Sequence, residues 1–110
     1  MGTRSQIPPG TLVMLILQTL EGIEPMHGYG IAQHIQKTTE DVLQVEEGSL
    51  YPALQRMLVK GWISGEWRKS EKNRRARYYR RTAAGRKQLG REVEEFHRVT
   101  QAIQRVVAPA

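Results

Sequence analysis

The stretch GSLYPALQRMLVKGWISGEWRKSEKNRRARYYRRT, residues 48–82, decides the fold of this 110-residue chain. Its first part predicts a helix from Gly48 to Lys60, because apolar side chains recur there at i, i+4, i+7 and i+8. Those side chains are Leu50, Leu54, Met57 and Leu58. Pro52 fits this helix only near its start, since the backbone N–H that proline lacks has no helical partner in the first turn. The helix is therefore expected to turn one face to a core and leave the other for solvent or a ligand.

A β-hairpin is predicted directly after this helix. Gly61 ends the helix, and the segments WISGEWRKS (62–70) and ARYYRRT (76–82) alternate as strands do, on either side of the polar sequence SEKNRR (70–75). Three aromatic side chains are expected to form the core of the hairpin, those of Trp62, Trp67 and Tyr79. The tip that joins the strands is strongly basic.

Two further helices are predicted before this stretch. The segment TLVMLILQTLEG, residues 11–22, is apolar on nearly every face, and Thr11 can cap its start. A second helix is expected from about Met26 or His27 to Lys37. Residues 38–46 then predict a loop with a short extended piece around Val42–Val45.

A long last helix is predicted from Ala83 to Val107, with Thr82 as its cap. Its apolar positions alternate spacings of four and three, which is the pattern of a coiled-coil seam. These positions are Leu89, Val93, Phe96, Thr100, Ile103 and Val107, widened by Val99 and Val106. Because the first three helices and the hairpin already supply a core, this stripe is expected to need a second copy of the chain. The alternative is that the helix folds back onto its own domain.

The positive charge of the chain is concentrated in one block. Residues 68–91 hold eleven Lys and Arg against one acid, Glu71, which makes this block +10, whereas the whole chain is +6 and the remainder is therefore −4. A solvated surface normally mixes both signs, so a block of this kind indicates a polyanionic partner. A basic face that serves only solubility is the alternative.

The order helix, helix, helix, basic hairpin is typical of a winged helix-turn-helix, a mainly α fold with a small β-hairpin. We expect residues 1–82 to form this DNA-binding domain and residues 83–110 a dimerisation helix. A helix that enters the major groove needs a slim leading edge and groups that bond phosphates or base edges. The candidates on this helix are Gly48, Ser49, Tyr51, Gln55 and Arg56. The candidates on the wing are Lys69, Lys72, Asn73, Arg74, Arg75 and Arg77.

Four segments together resemble the PadR family of bacterial transcriptional regulators. They are HGYGIAQHI (27–35), GSLYPALQRM (48–57), GWISGEW (61–67) and RARYYRRTAAGRKQL (75–89). The resemblance implies a winged-helix domain followed by a helix through which two subunits pair. It also implies a repressor whose affinity for double-stranded DNA is lowered by a small effector. It also assigns Pro52 to the helix that enters the groove. One helix after the wing is typical of the shorter subgroup of the family.

Two positions depart from the pattern of that family. Arg81 stands where a leucine usually precedes the threonine at the end of the second wing strand, and Leu58 stands where an acidic residue is usual. The first departure adds a charge that DNA could use. The second is expected to enlarge the buried face of the groove helix.

An effector site is suggested by the only aromatic side chain of the last helix. Phe96 could line a cavity at the dimer interface with Val93 and Val99 and stack on a small aromatic or hydrophobic compound. Ordinary interface core is the alternative interpretation of the same three side chains.

Several classes of protein are disfavoured by composition. The chain has no cysteine, its longest apolar stretch is Leu12–Leu17, and its N-terminus lacks a cleavage pattern, so we expect a cytoplasmic protein without a membrane span. The histidines, His27, His34 and His97, have no carboxylate at metal-ligand spacing, and no nucleophile or phosphate-loop motif occurs. We therefore expect no enzyme activity, no catalytic residues, no metal and no cofactor.

Two other binding functions compete with duplex recognition. A basic RNA-binding or ribosome-associated protein is disfavoured because exposed stacking aromatics are not expected among the basic residues, with Tyr78 as the exception. A structural adaptor whose wing binds an acidic protein is the other alternative. Charge at the wing does not separate these cases from DNA binding.

Overall fold

Four helices and five strands make up the part of the chain that the computed structural model describes, residues 4–69 and 71–108. In chain order they are β1 (Ser5–Gln6), α1 (Leu12–Thr19), β2 (Met26–His27), α2 (Gly28–Thr38), β3 (Leu43–Gln44), α3 (Glu47–Val59), β4 (Ile63–Lys69), β5 (Arg75–Arg81) and α4 (Ala83–Val107). This architecture confirms the predicted mainly helical winged helix with a small sheet. Only the N-terminal strands were not expected.

The wing is larger than a hairpin, because β2 adds a third strand to it. β4 and β5 pair antiparallel along their whole length, and Met26 and His27 of β2 pair with Tyr79 and Tyr78 on the other edge of β5. The prediction that Met26 or His27 opens a helix was therefore wrong: both residues are in a strand, and α2 begins at Gly28. A two-residue strand has no periodicity of its own and exists only through its partner.

A single core joins the three N-terminal helices to the base of the sheet and the start of α4. α1 contributes Ile16 and Leu17, which are fully buried. The other core side chains are Leu20, Ile31, Ile35, Leu50, Ala53, Leu54, Met57, Ile63, Tyr79 and Leu89. Leu58 packs against this cluster, so the apolar side chain at this position does enlarge the buried face of α3.

Pro52 lies further into α3 than the sequence suggested. α3 begins at Glu47, which makes Pro52 its sixth residue, in the second turn. The first-turn explanation is therefore wrong, since an ordinary residue here would donate its N–H to the carbonyl of Gly48. Gly48 is exposed, so water can bond that carbonyl instead.

Threonines behave differently at the starts of α1 and α4. Thr11 precedes α1 but its hydroxyl does not cap the helix; it donates to the carbonyl of Pro8 at 2.8 Å. Thr82 does cap α4: its Oγ1 accepts the N–H of Gly85 at 3.0 Å and donates to the carbonyl of Gly61 at 2.6 Å. Thr82 thus ties the start of α4 to the turn that follows α3.

Candidate nucleic-acid interface

One open groove, with a volume of about 680 Å³, brings α3 and the wing together. Tyr51 and Gln55 of α3 line one side of it, and Arg74, Arg75 and Arg77 of the hairpin line the other. The remaining lining residues are His27, Gly28, Tyr29, Trp67, Ala76 and Tyr79. No carboxylate lies among these residues. The groove is therefore a concave, positively charged surface between the two elements that the sequence predicted to hold DNA.

The other predicted contact residues lie around this groove. On α3, Gly48, Pro52 and Arg56 are exposed, and Ser49 faces the segment before α1 in a smaller cleft. On the wing, Lys69, Lys72 and Asn73 are exposed, with Asn73 at a φ of 59° in the turn. All of these residues can reach solvent, and their contact with DNA stays a prediction.

The two faces of the hairpin differ sharply in charge. Direct pairing in the sheet puts Trp67 opposite Arg77 and Lys69 opposite Arg75 on the face that continues from the core to the groove. The opposite face carries Glu66, whose carboxylate pairs with Arg68 at 3.0 Å and with Arg80 at 3.7 Å. The acid of β4 thus offsets positive charge only on the face away from α3.

Trp67 does not belong to the core of the hairpin as predicted. Its side chain is 55% exposed, whereas Tyr79 is 5% exposed and Trp62 is half-buried. The core ends at Ile63 and Tyr79, and Trp67 lies beyond them on the same face. Guanidinium groups cover it instead: that of Arg75 lies 4.7 Å and that of Arg77 5.6 Å from its ring centre.

The exposure of Trp67 bears on whether the groove could bind single-stranded RNA. The groove holds three partly exposed aromatic side chains, those of Tyr29, Tyr51 and Trp67, so the expected absence of such rings among the basic residues was wrong.

Burial raises the pKa of Tyr79 at the base of the groove, although the positive charge of Arg77 opposes this shift. Tyr79 therefore stays a neutral hydroxyl at physiological pH.

Arg81 is not among the residues that line the groove. Its Nη1 donates to the carbonyl of Leu17 at 3.1 Å, near the C-terminal end of α1. That carbonyl has no later helical N–H to accept, so a cation near it also complements the helix dipole. The departure from the family pattern at position 81 thus holds α1 to β5. Arg80 is likewise used internally and donates to the carbonyl of Ile23 at 2.7 Å.

The glycines at the start of α2 allow close approaches. A Cβ on Gly28 would lie 2.9 Å from Cε1 of Tyr51, so glycine lets this ring of α3 cross the start of α2. His27 precedes Gly28, and its Nδ1 accepts the N–H of Gly30 at 2.9 Å, which makes it the cap of α2. Gly28 thus permits close packing of α3 on the start of α2.

The described ranges contain neither a metal-binding cluster nor a membrane-spanning helix. Among residues 4–69 and 71–108, no cluster of three His, Asp or Glu side chains could hold a metal ion. Within the same ranges, no helix has the length and apolarity that a bilayer crossing requires.

The apolar stripe of α4 divides into a buried and an exposed part. Leu89, which was expected at a subunit interface, is 8% exposed and belongs to the core of its own chain, and Val93 packs against that core. The start of α4 packs against α1, which explains this burial. Beyond it, the described residues leave much of the stripe open: Phe96, Val99, Ile103, Val106 and Val107 are exposed, and Thr100 is half-buried.

The predicted effector residues are also separated by this division. Phe96 and Val99 line an open groove of about 490 Å³ between α4 and the start of α1, together with Met14 and Pro9. Val93 is not part of its lining, because it faces the core.

Comparisons with known proteins extend over most of this architecture. A profile of the transcriptional regulator PadR-like family matches residues 16–91. A transcriptional regulator from Clostridium thermocellum has a similar structure, with a TM-score of 0.80 and 29% identity over 89% of this chain and 94% of that one. A PadR family regulator from Eggerthella lenta gives a TM-score of 0.77 and 27% identity over 92% and 85%. A PadR-like regulator from Bacillus cereus gives 0.72 and 27% over 92% and 95%.

Proposed function

Because this chain belongs to the PadR-like family of DNA-binding transcriptional regulators, we propose that it is a repressor that binds a palindromic operator as a homodimer. α3 enters the major groove of the duplex, and the wing contacts the backbone beside it. A two-fold dimer presents two copies of α3 to half-sites about one helical turn apart.

The observation that supports this proposal best is the groove shared by α3 and the wing. Tyr51 and Gln55 offer hydrogen-bonding groups on one side, and three arginines offer positive charge on the other. The lack of any carboxylate in its lining suits a polyanion. A winged helix carries these two elements side by side, which favours a duplex over an unstructured RNA or an acidic protein.

The exposed part of the α4 stripe supports pairing of two chains. Its apolar side chains are Phe96, Val99, Ile103, Val106 and Val107. Full burial of an exposed side chain of this size contributes about 1.5 to 3 kcal/mol. Pairing can bury only the part that is still exposed, which is 40% for Phe96 and Val99 and more for the other three. The five together still favour association before the association costs are subtracted. α4 then acts as a dimerisation helix whose first turns also complete the DNA-binding domain.

A small aromatic or hydrophobic effector is part of the proposal, and the groove beside Phe96 is its site. A volume of about 490 Å³ falls in the range of small-molecule sites. A compound bound between α1 and α4 would alter how two copies of α4 pack and, through them, the spacing of the two α3 helices. We expect such a compound to lower the DNA affinity of the repressor.

Duplex binding is tested by titrating labelled genomic fragments that contain the operator at several salt concentrations. We expect affinity to fall about 10³-fold or more between about 50 and about 200 mM salt, because a dimer that contacts roughly six to ten phosphates releases as many counterions. Unlabelled RNA of equal length serves as the competitor. A flat salt response, or stronger competition by RNA than by duplex, would contradict the proposal.

Pairing through α4 is tested with Ile103→Glu. We expect the unaltered protein to sediment as a dimer at micromolar concentration and the variant as a monomer, because the new carboxylates would be buried without partners. Gln104→Glu is the matched control, since it adds a charge one residue away outside the apolar stripe. A variant that remains dimeric at the same concentration would show that α4 does not pair as proposed.

A further inference from the structure

We propose that Trp67 is a positioning residue that holds the guanidinium groups of Arg75 and Arg77 ready for the backbone phosphates of a duplex. This inference rests on the proposed function and adds to it a residue whose predicted place was the core of the hairpin. Trp67 carries no charge, so the positive charge of residues 68–91 does not by itself predict that Trp67 contributes to DNA affinity.

The side chain of Arg77 lies on a surface that Gly65 and Trp67 of β4 form together. Arg77 lies directly opposite Trp67, and Gly65 is two residues earlier on β4, on the same face. A Cβ on Gly65 would lie 2.7 Å from Nε of Arg77, so the arginine occupies the space that a side chain at position 65 would fill. The guanidinium thus lies across Gly65 with its carbon 5.6 Å from the centre of the Trp67 ring.

The same ring also holds Arg75 from the neighbouring position on this face. The guanidinium of Arg75 lies 4.7 Å from the ring centre of Trp67, within the range of a cation–π contact. Two residues that alternate along β5 therefore share one aromatic surface. The positions of both cations are coupled through it.

Within the described part of the chain, no acidic side chain neutralises these two guanidinium groups. Among the described residues, no carboxylate lies within 4.0 Å of Arg75 or Arg77, and Nε of Arg77 is buried without a hydrogen-bond partner. On the other face, by contrast, Arg68 and Arg80 both pair with Glu66. The ring therefore orders two arginines while it leaves their remaining N–H groups available.

A phosphodiester is the ligand that matches this arrangement. A guanidinium presents its N–H groups as a planar fork that fits phosphate oxygens, and stacking on an aromatic face leaves the edge of the fork open. An arginine that is already ordered loses less side-chain freedom when it binds. Trp67 is thus expected to raise affinity without changing how many charges meet the DNA.

The test is Trp67→Leu in the full chain, measured by duplex titration at several salt concentrations. We expect affinity to fall about fivefold to tenfold while the slope of log K against log salt stays unchanged, because every arginine is retained. Trp67→Phe keeps an aromatic face and is expected to restore most of the affinity. Tyr78→Leu is the matched control, since it removes the ring under Arg68 on the other face of the hairpin, 5.6 Å from that guanidinium.

A double-mutant cycle in which Arg75→Lys and Arg77→Lys are made together identifies the route of the effect, because Trp67 contacts both guanidinium groups. Lysine keeps the charge but not the planar fork, so Trp67→Leu should cost less than twofold in that background. If the losses of affinity caused by the Trp67 and arginine substitutions simply multiply, the inference is overturned. Equal losses in Trp67→Leu and Trp67→Phe would also overturn it, because they would mean that the indole itself contacts DNA. If Trp67→Leu binds as the unaltered protein does, only this inference fails. If the unaltered protein does not bind duplex, the proposed function fails first.

Discussion

Replacing Arg75 and Arg77 together with glutamate is expected to weaken duplex binding by about 10³-fold, or roughly 4 kcal/mol. Both arginines lie on the face of the wing that lines the groove, and no carboxylate in that lining shares their charge. A dimer would lose four phosphate contacts and gain four repulsive charges. The slope of log K against log salt should fall by about two for each subunit, since each contact releases about one counterion.

The control for this prediction is Arg68→Glu with Arg80→Glu. It changes net charge by the same amount in the same hairpin, but on the face where Glu66 already pairs with both arginines. We expect a loss of less than tenfold, which long-range charge alone accounts for. Thermal unfolding of all variants should first establish that they fold. Equal losses in the two double variants would mean that total charge, and not the groove, determines affinity.

The change Gly85→Ala is expected to lower the free energy of unfolding by about 3 kcal/mol or more. A Cβ at this position would clash with the backbone carbonyl of Trp62 and lie 3.1 Å from Cδ2 of Leu17. The same carbonyl accepts the N–H of Thr82, so moving α4 away to relieve the clash also breaks this hydrogen bond. Overpacking and lost hydrogen bonds each contribute about 1 to 3 kcal/mol.

Gly90→Ala is the matched control, because Gly90 lies in the same helix and a Cβ there meets nothing within 4 Å. Alanine favours helix over glycine by about 1 kcal/mol, so this variant should be slightly more stable. Thermal unfolding at one fixed protein concentration measures both variants, since the midpoint of a dimer depends on concentration. If both substitutions change the stability in the same direction, the close approach of α4 to Trp62 does not explain the effect of Gly85→Ala.

The long elements could be predicted because their patterns repeat within one segment. α4 spans Ala83–Val107 as the sequence indicated, and α3 differs by one residue at each end. The wing strands needed only alternation and a polar turn between them. β1 and β2 could not be found this way, because two residues carry no period and their pairing partners are far away in the chain.

The candidate interface was predicted in part. The basic wing residues and the polar residues of α3 were identified from charge and residue type, and the groove joins Arg74, Arg75 and Arg77 to Tyr51 and Gln55. The place of Trp67 was missed because its alternation with Ile63 suggested burial. Alternation assigns a face to a residue but does not say how far along the strand the core extends.

Periodicity, turn residues and uneven charge determined by themselves that this chain has three helices, a basic wing and a long last helix, since each of these signals acts between neighbours in the chain. Only the tertiary structure decided which arginines remain available. Arg77 and Arg81 lie on the same face of β5, yet Arg77 lines the groove while Arg81 donates a hydrogen bond to the end of α1. The use of a charge depends on the groups that folding brings against it, and those groups come from distant parts of the sequence.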